Sequence, residues 1–314
     1  MNRAAAPPSP NRRLAALGAC VAVLAAAACD RRPPADPAYV AALETWRAER
    51  LAALTAEDGW LTLIALAWLE PGDNRFGSAP GNQVVLPGRG VPPVAGTLTL
   101  GADGAVVLRT APEAGVTVDG ESVAEARLRS DREGKPQTVA VGAVRFRIIE
   151  RGGRKAVRAR DPNNPARAEF AGIEHFPVDP RLRVAARFEP YPHPREVRVP
   201  SHQGPDQTML AAGLVRFELD GRPLALEPLA ASREPEEFFF VFRDATAGTA
   251  TYGAGRFLDA ELPDPATGAV ILDFNRAYNP PCAFTPFATC PLPPPQNVLA
   301  VRIEAGEMMR GGGH

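Results

Sequence analysis

Residues 97–109, Thr97-Leu98-Thr99-Leu100-Gly101-Ala102-Asp103-Gly104-Ala105-Val106-Val107-Leu108-Arg109, place two short apolar stretches either side of a glycine-bounded turn. Such text reads as strand, turn, strand. Outward from it, Val84–Leu86 and Val116–Val118 repeat the pattern, with further turn signals at Gly72-Asp73 and Asp119-Gly120. Short strands at this spacing predict a small β-sandwich over residues 59–126. A second series begins at residue 127. Val144–Ile149 and Ala156–Arg160 flank Arg151-Gly152-Gly153-Arg154, and Leu214–Leu219 and Leu224–Leu226 flank Asp220-Gly221-Arg222. Val197–Pro200, Phe238–Arg243, Gly255–Leu258, Val270–Phe274 and Val298–Ile303 complete the set. With no internal repeat and no βαβ alternation, residues 127–308 are expected to form an antiparallel β-barrel or half-barrel, followed by a tail at 309–314. The fold class is mainly β. The 34 prolines among 314 residues point the same way, being about twice the average usage of a residue that breaks helices and favours turns and edges.

Residues 37–58 are the exception. Tyr39-Val40, Leu43, Trp46-Arg47 and Leu51 to Leu54 recur at intervals of three and four, behind an Asp36-Pro37 N-cap and first-turn pair. This N-terminal amphipathic helix is read as packing across one end of the following domain. The charge balance, 35 basic against 36 acidic side chains, gives no reason to expect nucleic acid as a partner.

The first 28 residues read as an export signal. Arg3, Arg12 and Arg13 precede an uncharged run from Leu14 to Ala28 that ends at Cys29. The run is too short to span a bilayer as a helix, which takes about 20 residues, and Ala26-Ala27-Ala28 suits a cleavage site. The segment resembles a bacterial lipoprotein signal, in which Cys29 would become the acylated first residue, although Ala26 stands where leucine is usual. The alternative is an ordinary cleaved signal with an incidental cysteine. Residues 29–36 then form a tether. The resemblance implies a lipid-anchored protein of the bacterial cell envelope, with Asp30 implying the periplasmic face of the inner membrane.

Two further resemblances follow from longer text. Asp73-Asn74-Arg75-Phe76-Gly77-Ser78, Asn82 to Pro87 and Val118-Asp119-Gly120 resemble a forkhead-associated domain. The phosphothreonine-reading positions of that family are replaced here, with Ser78, Ala114 and Val116 among the substitutes, so the resemblance implies shape alone. From about residue 40 to 308, Asp273-Phe274-Asn275-Arg276-Ala277-Tyr278-Asn279-Pro280-Pro281-Cys282 and Cys290-Pro291-Leu292-Pro293-Pro294 resemble the domain of unknown function 1684 family, some of whose members are lipoproteins. That family brings no activity to carry over.

The chemical candidates lie in the last third. Asp273, Asn275, Arg276, Tyr278 and Asn279 crowd polar functions at a strand end, while Arg243, Asp244, Tyr252 and Arg256 lie at the ends of neighbouring strands. Opposed arginine and carboxylate groups there suit a small polar ligand, or a hydrolase-type reaction with Asp273 as acid or base. Asx and arginine side chains that only tie down loops are the bland alternative. Cys282 and Cys290, in an exported chain, are expected to form a disulfide. No metal or cofactor is expected: the cysteines lack zinc spacing and a nearby histidine, and Gly253-Ala254-Gly255 lacks the third glycine of a dinucleotide loop. Pro192-His193-Pro194 reads as an exposed turn. No feature names a protein partner.

Overall fold

The computed structural model describes residues 34–309. The export signal, Cys29, most of the tether and the tail beyond Met309 lie outside the described residues. Helix α1, Pro37–Thr55, starts where expected, with the Asp36 carboxylate accepting from the Ala38 N–H at 2.9 Å and Pro37 in the first turn. It ends at Thr55, short of residue 58. Leu43 and Leu54 are its buried anchors.

Eleven strands follow. They are β1 Leu63–Trp68, β2 Gly72–Gly77, β3 Val84–Val85, β4 Gly96–Leu100, β5 Val106–Thr110 and β6 Thr117–Val118, then β7 Glu121–Ser122, β8 Glu125–Leu128, β9 Val139–Val141, β10 Val144–Arg151 and β11 Arg154–Arg160. The stretch at 97–109 is the β4–β5 hairpin. Leu98 lies opposite Leu108 in the core, Thr97 opposite Arg109 outside it, and Gly104 turns the chain at φ +79°, a left-handed value that favours glycine. Two sheets result, ordered β1-β11-β10-β9-β6-β7 and β3-β2-β4-β5-β8. One apolar layer fills the space between them, including Phe76, Leu98, Leu108, Phe146, Ile148 and Val157.

This sandwich extends to residue 160, which corrects the boundary expected after 126. Strand β11 pairs with β1 as well as β10, and the alternation of Val144, Phe146 and Ile148 buries the hairpin in the same core. The Gly152-Gly153 turn falls where the sequence placed it, both residues at positive φ.

After a single helical turn, α2 Pro165–Ala168, come β12 Arg183–Val199, β13 Gln207–Leu219, β14 Arg222–Leu226, β15 Phe238–Phe242, β16 Arg256–Ala260 and β17 Ala269–Asp273. They form an antiparallel sheet ordered β14-β13-β12-β17 and a β15–β16 ribbon. Phe217, Phe240, Phe242, Leu272 and Phe274 pack between them. The sheets stay open and close no barrel. Pro192-His193-Pro194, exposed as expected, lies within long β12 instead of a turn. The register with β13 shifts between Pro190 and Arg195, and such an irregularity accommodates residues that cannot donate to the ladder. Val298–Ile303 forms no strand. It runs beside β15 through single contacts such as Leu299 N–H to Arg243 O at 2.7 Å.

Candidate functional site

Helix α1 returns to the C-terminal half of the chain. Tyr39, Trp46 and Arg50 are seven and eleven residues apart, which puts them on one face of a helix. That face roofs a cleft of about 910 Å³ whose other walls are β16, β17 and the start of β12. Its polar lining includes Arg183, Asp259, Asp273 and Arg276, with Glu237 and Glu261 also on its wall.

Asp273 is fixed from several sides. It caps the short 3-10 turn Phe274–Arg276, accepting from the Asn275 N–H at 3.1 Å, and both its oxygens lie 2.9 Å from the Tyr39 hydroxyl. Across the ladder it faces Arg183, whose guanidinium sits 5.8 Å from the Tyr39 ring. Arg276 approaches Asp273 at 4.0 Å and lies 5.9 Å from Trp46. Burial raises the Asp259 carboxyl above the usual aspartate range, opposed by a hydrogen bond from Tyr278 and reinforced by Glu237. Burial and the Asp259 charge push the Tyr278 phenol up in turn. Arg50 lies over the Tyr278 ring at 4.4 Å. The same arginine pairs with Glu307, which is fully buried and also accepts from the Asn279 N–H at 2.7 Å. Tyr39 has its phenol raised too, by burial first and by Asp273 second.

Of the candidates read from sequence, Asp273, Arg276 and Tyr278 belong to this region; the others, Arg243 apart, tie down backbone or one another. Asp244 and Arg256 do meet, at 2.7 Å, but inside the core with side chains 1% exposed. Arg256 also donates to the Ile303 carbonyl at 2.9 Å and to the Ala305 carbonyl, while Asp244 accepts from the Thr246 N–H at 2.7 Å. The pair staples the last segment to β15 and β16. Asn275 bonds the Asp179 backbone in both directions at 2.9 Å, and Asn279 donates to the Met308 carbonyl at 2.9 Å. Tyr252 donates to the Cys282 carbonyl at 3.1 Å, and Arg243, just past the end of β15, is exposed.

The disulfide expected between Cys282 and Cys290 is not formed. Both are buried free thiols, and Cys290 Sγ instead accepts from the Cys282 N–H at 3.2 Å. Their mutual hydrogen bond and burial push the Cys290 thiol up. Among the described residues, no three His, Cys, Asp or Glu side chains gather to hold a metal ion. Among the same residues, no helix is long and apolar enough to cross a membrane.

Sequence reasoning missed Tyr39, Trp46, Arg183 and Asp259. The helical period showed that Tyr39 and Trp46 share a face, but not that the face meets residues 259–276. Asp259 left no signal, being the single carboxylate of a short strand, RFLDA.

Comparison with known proteins returned no match among curated proteins. Among solved structures, an uncharacterized protein of Haloarcula marismortui, determined by NMR in solution, is 35% identical. The match covers 45% of this chain and 78% of that one, with a TM-score of 0.39. Two forkhead-associated structures are each 18% identical with a TM-score of 0.22. One comes from a study of phosphothreonine-dependent interactions, and its match covers 32% of this chain and 96% of its own. The other is the FhaA domain complexed with the intracellular domain of Rv3910, for which the figures are 30% and 97%. The family model described as Protein of unknown function (DUF1684) matches residues 168–308, which contain Asp259, Asp273, Arg276 and Tyr278. Through that segment, the chain belongs to the DUF1684 family.

Proposed function

We propose that the protein is an envelope lipoprotein, anchored through Cys29, whose C-terminal half binds a small polar ligand in the cleft beneath helix α1. The observation behind this reading is the cleft itself: about 910 Å³, with Asp259 and Asp273 on the sheet side and Tyr39 and Trp46 on the helix side. That volume suits a small molecule. Carboxylates outnumber arginines on its walls, Glu237, Asp259, Glu261, Asp264 and Asp273 against Arg183 and Arg276. Such a lining repels anions and accepts hydrogen bonds from hydroxyl or ammonium groups. The ligand is therefore hydroxyl-rich or amine-bearing. Saturation-transfer NMR on the full-length protein with monosaccharides, amino sugars and polyamines tests this. A binder should appear whose affinity falls about tenfold or more in Asp273→Asn, the loss of roughly one charge-assisted hydrogen bond. No binder in these classes, or one indifferent to Asp273→Asn and Trp46→Ala, would refute it.

A hydrolase is the second reading, favoured by the raised Asp259 carboxyl on the same cleft as Asp273. A carboxyl whose pKa is raised by burial, on the same cleft as a second carboxylate, suits a division of acid and base roles. Asp259→Asn should then abolish turnover of a bound ligand while leaving binding in place; absence of turnover in the wild type removes this reading.

A further inference from the structure

The outer face of the N-terminal sandwich holds a second site, of opposite charge. In the β10–β11 hairpin, Arg145 lies directly opposite Arg160, and Arg147 directly opposite Arg158. Side chains two apart on a strand share a face, so the register stacks four guanidinium groups on one side of two strands, with Phe146 and Ile148 turned into the core. Like charges placed directly opposite each other destabilise a sheet. Ordinary folds relieve such repulsion with carboxylates, yet among the described residues none of the four arginines makes a salt bridge. The nearby Asp131 is taken by Arg151 at 2.8 Å.

Their remaining partners are neutral. Arg147 donates to Thr138 Oγ1 at 3.0 Å, Arg158 donates to Thr289 Oγ1 at 2.8 Å, and Arg160 donates to the Asp58 carbonyl. Arg158 is the telling residue. It is 9% exposed, lies 5.4 Å from the Trp60 ring, and its Nε has no hydrogen-bond partner. A buried cation with no salt bridge of its own, the Asp131 carboxylate that attracts it being held by Arg151, is costly. Burial first, and Arg151 second, pull its pKa down to about 10, so it stays charged at neutral pH. The arginines line a pocket of about 300 Å³ together with Ile149 and Thr138. Glu57, Asp58 and Asp131 stand on its wall, the last already paired with Arg151, and four arginines against these three carboxylates leave it positive.

We propose that this pocket binds a phosphate group, held by Arg145, Arg147 and Arg158 with Thr138 as an added hydroxyl. Guanidinium forks match the oxygen geometry of phosphate, and a bound dianion would neutralise the cross-strand repulsion and satisfy Arg158. The phosphate belongs either to a soluble monoester or to a lipid headgroup. This site is independent of the acidic cleft, which repels such a ligand.

The test uses the full-length protein and the Arg145→Gln/Arg147→Gln double variant, whose substituted side chains are exposed and leave the core intact. Calorimetric titration with inorganic phosphate and glycerol phosphate forms one arm. Co-sedimentation with phosphatidylcholine vesicles, with and without phosphatidylglycerol, forms the other. Saturable binding of a soluble phosphate that weakens at least tenfold in the double variant supports the proposal with a soluble ligand. Sedimentation that requires phosphatidylglycerol and is lost in the double variant supports it with a lipid headgroup. Absence of saturable binding in both arms, or binding that the double variant retains, overturns it.

Discussion

The Tyr39 hydroxyl, near the start of helix α1, lies 2.9 Å from both carboxylate oxygens of Asp273, 234 residues further along the chain. The contact joins the roof of the cleft to its floor. Because Tyr39 is only half-buried, removing its hydroxyl should cost about 1–2 kcal/mol, the usual range for a bond to a charged acceptor in partial solvent. Tyr39→Phe and Asp273→Asn should be non-additive, with the double variant less destabilised than the sum of the singles. Urea unfolding of the four proteins measures this, and strict additivity would show that the pair is uncoupled.

The Asp244–Arg256 pair is a different kind of contact, sealed inside the core. Arg256→Met leaves Asp244 charged and unpaired and frees the carbonyls of Ile303 and Ala305. A loss of about 3–5 kcal/mol is expected. Chemical denaturation reads it directly, and a loss under about 1 kcal/mol, typical of a surface site, would mean that the pair does not hold the C-terminal segment.

For Asp259 the prediction concerns pH. Its pKa is raised by burial, so the folded protein holds this proton more tightly than the unfolded chain does. The resulting stability is complete below the ordinary aspartate value of about 3.9 and is lost as pH rises through the higher folded value. Asp259→Asn removes the titration. The stability of the variant relative to wild type should therefore increase as the pH rises above about 4. Urea midpoints taken across that range would contradict this if the difference stayed constant.

Cys282 and Cys290 stand as two buried free thiols. Mass spectrometry of a non-reduced digest, alkylated after unfolding, should find both modified. A linked pair of peptides in that sample would contradict the free-thiol arrangement.

Anchoring is tested at Cys29. Cys29→Ala should release the protein from the membrane fraction or leave an unprocessed precursor. A correctly cleaved Cys29→Ala protein that still fractionates with membranes would argue for an ordinary signal and an incidental cysteine.

How far the sequence was legible depended on how local the information was. The 97–109 hairpin could be read because apolar alternation and a glycine turn are both short-range. The partnership of β1 with β11 could not, because Leu63 and Arg160 meet across almost the whole sandwich and nothing near either residue encodes the pairing. The same limit governed the site. The sequence leaves open which of Arg243 and Arg256 meets Asp244 or Asp273, and only the burial of the Asp244–Arg256 pair reveals that it serves the backbone of residues 303–305. Asp273 was recognised from its own crowded neighbourhood, whereas its partner Tyr39 lies on a distant helix. The cross-strand arginines of β10 and β11 show the same division: the residues are plain in the text, and their alignment follows only from register.

Helix α1 has its docking face on segments that are made last. At a synthesis rate of about 5–20 residues per second, the interval between Tyr39 and Asp273 is roughly 10–50 s. During that time Tyr39 lacks Asp273, Trp46 lacks Arg276 and Arg50 lacks Tyr278 and Glu307, and a 19-residue helix by itself is marginal in water. The helix therefore becomes fixed late, when Arg50 reaches Glu307, although it is the first element of the described chain to emerge. A chain truncated before Glu307 loses that buried carboxylate and leaves the roof of the cleft unfastened at its far end.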